Sequence, residues 1–107
     1  EREKYPPSPQ RLVRLHPGSQ RKTLYLSAHA SHIRGWPVAD GRLLLWDLTA
    51  HATQNPFVYS HRWRIGDLVI WDNRCTMHRG RAHDESQPRD LRRATTLDTG
   101  STLEQAA

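Results

Sequence analysis

The spacing of apolar positions changes along the chain, and each change marks an element. Two short runs, 11–16 (RLVRLH) and 22–27 (KTLYLS), flank the turn-forming cluster Pro17-Gly18-Ser19-Gln20 and predict a β-hairpin. Small residues at 28–32 and the break Gly35-Trp36-Pro37 follow. Over 38–53 the period lengthens: Leu44, Leu45, Leu48 and Ala52 recur at three- and four-residue spacings, as on one face of an amphipathic helix. Pro37 suits the entry of that helix and Asn55-Pro56 its exit.

From Phe57 the period becomes two, placing Phe57, Tyr59, His61 and Trp63 on one face. Arg64-Ile65-Gly66-Asp67 then supplies a turn, and Leu68-Val69-Ile70-Trp71 is apolar on both faces, as in a strand interior to a sandwich or barrel. Residues 75–78 and 91–97 complete the predicted strands, joined by the polar loop 79–88. The expected fold class is mainly β with one or two helices, an antiparallel set of the kind that closes as a barrel or double-sheet jelly roll. Closure would need more strands than this chain holds. Residues 1–10, with three prolines and four charges, predict a linker-like entry, 11–98 the domain, and 99–107 a polar tail, with mobility expected from Asp98 onward. A chain that opens on Glu1, with 36% hydrophobic residues, reads as a C-terminal piece of a longer protein.

Composition narrows the partners. One cysteine, Cys75, cannot form an internal disulfide, and no leader or membrane-length apolar run appears, so a cytoplasmic location without membrane contact is expected. The net charge of +5 suits nucleic acid, an acidic surface or small anions. The basic residues are dispersed and the tryptophans sit in apolar runs, which argues against nucleic acid. A basic β-rich nucleic-acid module using Arg62, Arg64, Arg79, Arg81 and Arg92 is the rival reading, and assembly with further copies of the chain stays open.

The densest chemistry lies in Trp71-Asp72-Asn73-Arg74-Cys75-Thr76-Met77-His78, followed by Arg89 and Arg93. On a strand, residues 89, 91 and 93 share a face, and at about 3.3 Å per residue the two arginines stand roughly 13 Å apart. That spacing suits two guanidinium forks holding two carboxylates, although spacing alone equally allows a solvated basic strand. HASHI at 29–33, FVYSHRWRIGDLVIWDNRCTMHRG at 57–80 and RDLRRATTLD at 89–98 closely resemble the C-terminal region of the taurine and 2,4-dichlorophenoxyacetate dioxygenase family.

The resemblance implies a double-stranded β-helix, with Fe(II) held by two histidines and a carboxylate and with 2-oxoglutarate and O2 as cosubstrates. It implies His78 as an iron ligand and the catalytic metal site. It also implies Arg89 as the partner of the far carboxylate of 2-oxoglutarate, Arg93 as the partner of a small organic acid substrate, and His29 as a substrate-pocket residue. The implied reaction is hydroxylation of an aryloxyacetate or similar acid, with ether cleavage to a phenol and glyoxylate. The family's His-x-Asp pair is missing ahead of His78. His83-x-Glu85 follows His78 in the wrong order and reads as a decoy, and Cys75-x-x-His78 lacks the second pair a zinc site needs. His16, His32, His51 and His61 read as surface or hydrogen-bonding histidines.

Overall fold

Strand pairing begins where the turn formers allow it. In the computed structural model, which describes residues 6–105, β1 (Val13–Leu15) and β2 (Lys22–Leu24) pair antiparallel, with Val13 opposite Leu24, Arg14 opposite Thr23 and Leu15 opposite Lys22. The linker expected over 1–10 lies outside the described residues as far as residue 5. The connecting turn closes through Gln20 N–H to the His16 carbonyl at 2.8 Å and His16 N–H to the Arg21 carbonyl at 2.8 Å. Gln20 takes φ 59°, a left-handed conformation uncommon outside glycine, and its side-chain amide donates to the Pro17 carbonyl at 2.8 Å.

Strand alternation puts Arg14, His16 and Thr23 on one face of this hairpin, and that face collects the rest of the chain. Arg14 is 4% exposed. A guanidinium so far from water needs its donors filled, and it donates to Asp98 Oδ2 at 2.8 Å, to Gln105 Oε1, and lies 5.8 Å from the Tyr25 ring centroid. Arg11 N–H donates to Thr102 Oγ1 at 3.1 Å and its guanidinium to the Leu103 carbonyl at 3.0 Å. The segment 98–105, expected from its small polar residues to be mobile, is therefore docked on β1. Its composition gave no sign of this because the anchor is a buried ion pair with Arg14, some 84 residues away.

The expected helix forms as α1 (Val38–Ala52), with Asp40 in its first turn and His51 in its last, both favourable to the helix dipole. Leu45 and Gly41 are buried, with Leu44, Leu48 and Ala52 half-buried beside them, matching the predicted face. Gly41 is required for this contact: a Cβ there would lie 2.9 Å from the backbone nitrogen of Ile33. Leu43 and Trp46, 65% and 77% exposed, form a second apolar stripe that no described residue covers. A single 3-10 turn, Asn55–Phe57, ends the helical region and folds the Phe57 ring against His51 at 5.6 Å.

Beyond this turn the structure corrects the sequence reading. The strands expected over 57–63, 68–71, 75–78 and 91–97 are not formed among the described residues, and the one sheet is the two-stranded hairpin. Their local geometry is kept: the Tyr59 ring meets His61 at 6.3 Å and His61 meets Trp63 edge-on at 4.7 Å, so the period-two face exists without a ladder. The Arg64–Asp67 turn also forms, with Gly66 at φ 87° and Asp67 N–H donating to the Arg64 carbonyl at 3.1 Å. A strand is completed by its neighbour, and no partner strand for these segments lies among the described residues. Leu68, Ile70 and Leu97 are accordingly 83–99% exposed, and the chain shows 10340 Å² of surface against about 6,100 Å² for a compact monomer of this length.

Two outcomes follow from this packing. Gly41→Ala gains about 1 kcal/mol of helix propensity, yet the clash with Ile33 backbone outweighs it, so the full-length gene product should lose about 1–3 kcal/mol in thermal or denaturant unfolding. The hydrogen bonds from Gln105, Arg14 and the Thr99 backbone hold the Asp98 carboxyl down to about 2. Its contribution to docking is therefore complete above the ordinary carboxylate value near 3.8 and is lost as pH falls through about 2. Arg14→Ala should raise that value in an NMR titration and speed proteolysis within 98–105.

Candidate functional site

The apolar run 68–71 ends at Asp72, and the carboxylate of Asp72 organises everything that follows. Its Oδ1 accepts Arg74 N–H at 2.9 Å and Arg74 Nε–H at 2.9 Å; its Oδ2 accepts Arg74 Nη2–H at 2.8 Å and pairs with His16 Nε2 at 2.8 Å. The backbone carbonyl of the same residue accepts Cys75 N–H at 3.3 Å, Thr76 N–H at 3.2 Å and Thr76 Oγ1–H at 2.7 Å. A chain reversal results. Trp71 Nε1–H donates to Asn73 Oδ1 at 2.6 Å, and on the far side of the reversal the His78 ring lies 5.2 Å from the Trp71 ring at 48°. Thr23 Oγ1–H, on β2, donates to the Arg74 carbonyl at 3.3 Å. The loop 71–78 is thus tied to β2 at Thr23 and, through Asp72, to His16, the residue that follows β1.

The tautomer of His16 follows from its neighbours. Ser19 backbone N–H donates to Nδ1 at 3.1 Å, which assigns the ring proton to Nε2, and Nε2–H donates to Asp72. His16, Asp72 and Cys75 have potential ligand atoms within 4.8 Å of one another, the one such group among the described residues. It is not arranged as a metal centre: Asp72 spends four acceptor positions on Arg74 and His16, and the His16 nitrogen facing the cluster carries its proton. Hydrogen bonds from the Arg74 side chain, then from His16, hold the Asp72 carboxyl well below the usual carboxylate range.

The residues singled out by sequence are distributed as follows. His78 is exposed, stacked on Trp71, and stands outside the His16–Asp72–Cys75 group. Arg89 lines a cleft of about 260 Å³ with Trp63, His83, Asp84, Gln87, Pro88 and Leu91. Arg93 and His29 are exposed and line neither this cleft nor a second, of about 450 Å³, around Tyr59, His61 and Arg64. Within the described residues Arg89 is therefore set in a pocket, while His78, Arg93 and His29 are not gathered beside it. The 89–95 strand whose parity would align the two arginines is not formed. His83-Asp84-Glu85 builds a turn: Asp84 Oδ1 accepts Ser86 N–H at 3.0 Å and Ser86 Oγ–H at 2.7 Å, which lowers the Asp84 carboxyl.

The sequence reading assigns Asp72 no role of its own and takes His16 as a surface or hydrogen-bonding histidine, which it is, without naming its partner. An aspartate that ends an apolar run and precedes Asn-Arg is an Asx-turn signal, so Asp72 was discoverable. Its partner at position 16 was not, because 56 residues separate the two.

Residues 1–95 match the family described as Taurine catabolism dioxygenase TauD, TfdA family, and the chain belongs to that family. It is 61% identical over 98 residues to an alpha-ketoglutarate-dependent 2,4-dichlorophenoxyacetate dioxygenase of Cupriavidus pinatubonensis, covering 92% of this chain and 34% of that protein. It is 43% identical over 78 residues to an (S)-phenoxypropionate/alpha-ketoglutarate-dioxygenase of Sphingobium herbicidovorans, covering 73% of this chain and 27% of the other. The chain thus spans about a third of the length of the curated relatives it matches. Among solved structures, the crystal structure of AAD-2 in complex with Mn(II) and N-oxalylglycine superposes with a TM-score of 0.91 at 56% identity, over 96% of this chain and 41% of that one. The unpaired segments therefore follow the backbone course of the longer AAD-2 chain. Among the described residues no helix is long and apolar enough to cross a membrane.

Because the Asp72 carboxyl is depressed in the folded chain, its contribution is fully present above the ordinary value of 3.8 and is lost only as pH falls through the lower folded value. In the full-length gene product, amide protection of Cys75 and Thr76, corrected for intrinsic exchange, should hold down to about pH 4 and fall below it.

Proposed function

We propose that this chain forms part of an Fe(II)- and 2-oxoglutarate-dependent dioxygenase that hydroxylates a small organic acid, an aryloxyacetate such as 2,4-dichlorophenoxyacetate. The observation that carries the reading is the series Trp71 to His78, Arg89 and Arg93 in a chain 61% identical to a 2,4-dichlorophenoxyacetate dioxygenase. The architecture that would complete it is the double-stranded β-helix, whose further strands would pair the extended segments and cover Leu68, Ile70 and Leu97, all now open to solvent.

His78 fits a place in an iron site. Its imidazole is exposed, lies beside the Trp71 ring and stands apart from the clustered acid and thiol among the described residues, so it can serve as one nitrogen donor of a set completed by groups outside them. When bound, Fe(II) with 2-oxoglutarate and O2 supplies the oxidising power for hydroxylation, giving succinate and carbon dioxide. Hydroxylation beside an ether oxygen leaves a hemiacetal that breaks down to a phenol and glyoxylate.

The protein's part is placement. Arg89, which lines its cleft with Trp63 and Leu91, pairs bidentately with the far carboxylate of 2-oxoglutarate. N-oxalylglycine, bound in AAD-2, presents the same oxalyl and terminal carboxylate groups. Arg93 would hold the acidic group of the primary substrate and His29 would border it once groups outside the described residues complete a pocket around these two exposed side chains, which would fix the carbon presented for oxidation. The exposed thiol of Cys75 suits a reducing compartment such as the cytoplasm.

The test is iron-dependent succinate release from 2-oxoglutarate by the full-length gene product, stimulated by 2,4-dichlorophenoxyacetate. Arg89→Ala should raise the KM for 2-oxoglutarate about tenfold or more, and Arg93→Ala should do the same for the organic acid. Equal effects of both variants on both substrates would refute the division of roles, and absence of iron-dependent turnover would refute the function.

A further inference from the structure

We propose that Asp72 is a positioning residue for the iron site: by locking the 71–78 reversal to the hairpin through Arg74 and His16, it sets where the His78 imidazole points. This rests on the assignment of His78 as an iron ligand made above.

Geometry carries the inference. His78 itself sits on an exposed segment whose recorded ring contact is Trp71, and Trp71 is also exposed, so that stack alone gives the imidazole no fixed frame. The frame comes from residue 72. Its carboxylate takes four hydrogen bonds from Arg74 and His16, and its carbonyl takes further ones from Cys75 and Thr76, so residue 72 is joined across the reversal to Thr76, two residues short of His78. Two ties then fix the reversal in space, His16 Nε2–H to Asp72 Oδ2 from the residue that follows β1 and Thr23 Oγ1–H to the Arg74 carbonyl from β2.

His16 is suited to the task by its own setting. The turn 17–20 brings the Ser19 backbone N–H to Nδ1, which fixes the tautomer that can donate to Asp72. A chain of hydrogen bonds thus runs from the hairpin turn through an imidazole and a carboxylate into the loop of the proposed ligand. A misdirected donor costs an open metal site more than a closed one, because fewer ligands are left to compensate.

The experiment uses Co(II) titration of the full-length gene product, reading both affinity and the ligand-field absorption that reports coordination geometry. Asp72→Asn and His16→Ala should each weaken Co(II) binding about tenfold and alter the spectrum. His16→Gln, whose side-chain amide can still donate to Asp72, should stay near wild type. Gly41→Ala, which destabilises the fold elsewhere, separates positioning from general loss of stability and should leave the spectrum unchanged. Wild-type affinity and spectrum in Asp72→Asn, or an equal change in Gly41→Ala, would overturn the inference. His78→Ala distinguishes the two levels: if it binds Co(II) as wild type does, the iron-ligand reading fails and the positioning role with it. If it loses binding while Asp72→Asn does not, the positioning role alone fails.

Discussion

Among the described residues, the Asp72 carboxylate is the main tie between the chemistry-bearing loop and the hairpin. Asp72 accepts hydrogen bonds on both oxygens from Arg74 and His16, and its carbonyl gathers Cys75 and Thr76. Charge-assisted hydrogen bonds are the stronger kind, and several on one group resist the fluctuations that would break any one of them. Without that group the hairpin and the loop 71–78 would share the Thr23 hydroxyl bond and little else among the described contacts. The hairpin's other anchor, Arg14 to Asp98 and Gln105, works in the same way on the same face and brings 98–105 back to β1. Two polar clamps therefore do here what a hydrophobic core does in a complete domain.

That substitution explains an otherwise odd distribution of apolar residues. Among the described residues Leu26 and Leu45 are the buried hydrophobic ones, while Ile65, Leu68, Ile70 and Leu97 lie open and Trp46 projects from α1. Apolar surface on this scale calls for a partner layer. The AAD-2 structure follows the same backbone course over 96% of this chain, yet this chain covers 41% of AAD-2. The open faces are thus arranged as they are where more protein lies around them.

What the sequence disclosed and what it withheld divide along one physical line. Local codes were legible: Pro17 to Gln20 announced the hairpin turn, Gly66 the positive-φ turn, and Leu44, Leu45 and Leu48 the inner face of α1. Tyr59, His61 and Trp63 do share a face, as period two requires. Non-local facts were not legible. Strand ladders over 57–97 were expected because the pattern of each strand is local, but its hydrogen bonds belong to a partner, and none stands beside these segments among the described residues. The docking of 98–105 and the role of His16 were hidden for the same reason, since each depends on a residue more than fifty positions away. The family motif pointed to His78, Arg89 and Arg93 by number, and the fold places Arg89 in a cleft.

The path of an unpaired chain still has to be specified, and here aspartates specify it. Asp67 accepts the Arg64 N–H, Asp72 the Arg74 N–H, Asp84 the Ser86 N–H and Asp98 the Thr99 N–H, each where an extended segment turns. A side-chain carboxylate that satisfies a turn's backbone donor makes the reversal without help from a neighbouring strand. The segments between these turns can then present their apolar faces in the right order and hand before any ladder closes on them. Pairing would add stability to a course already set, which is why 57–98 can trace the backbone of the longer AAD-2 chain while forming no sheet among the described residues.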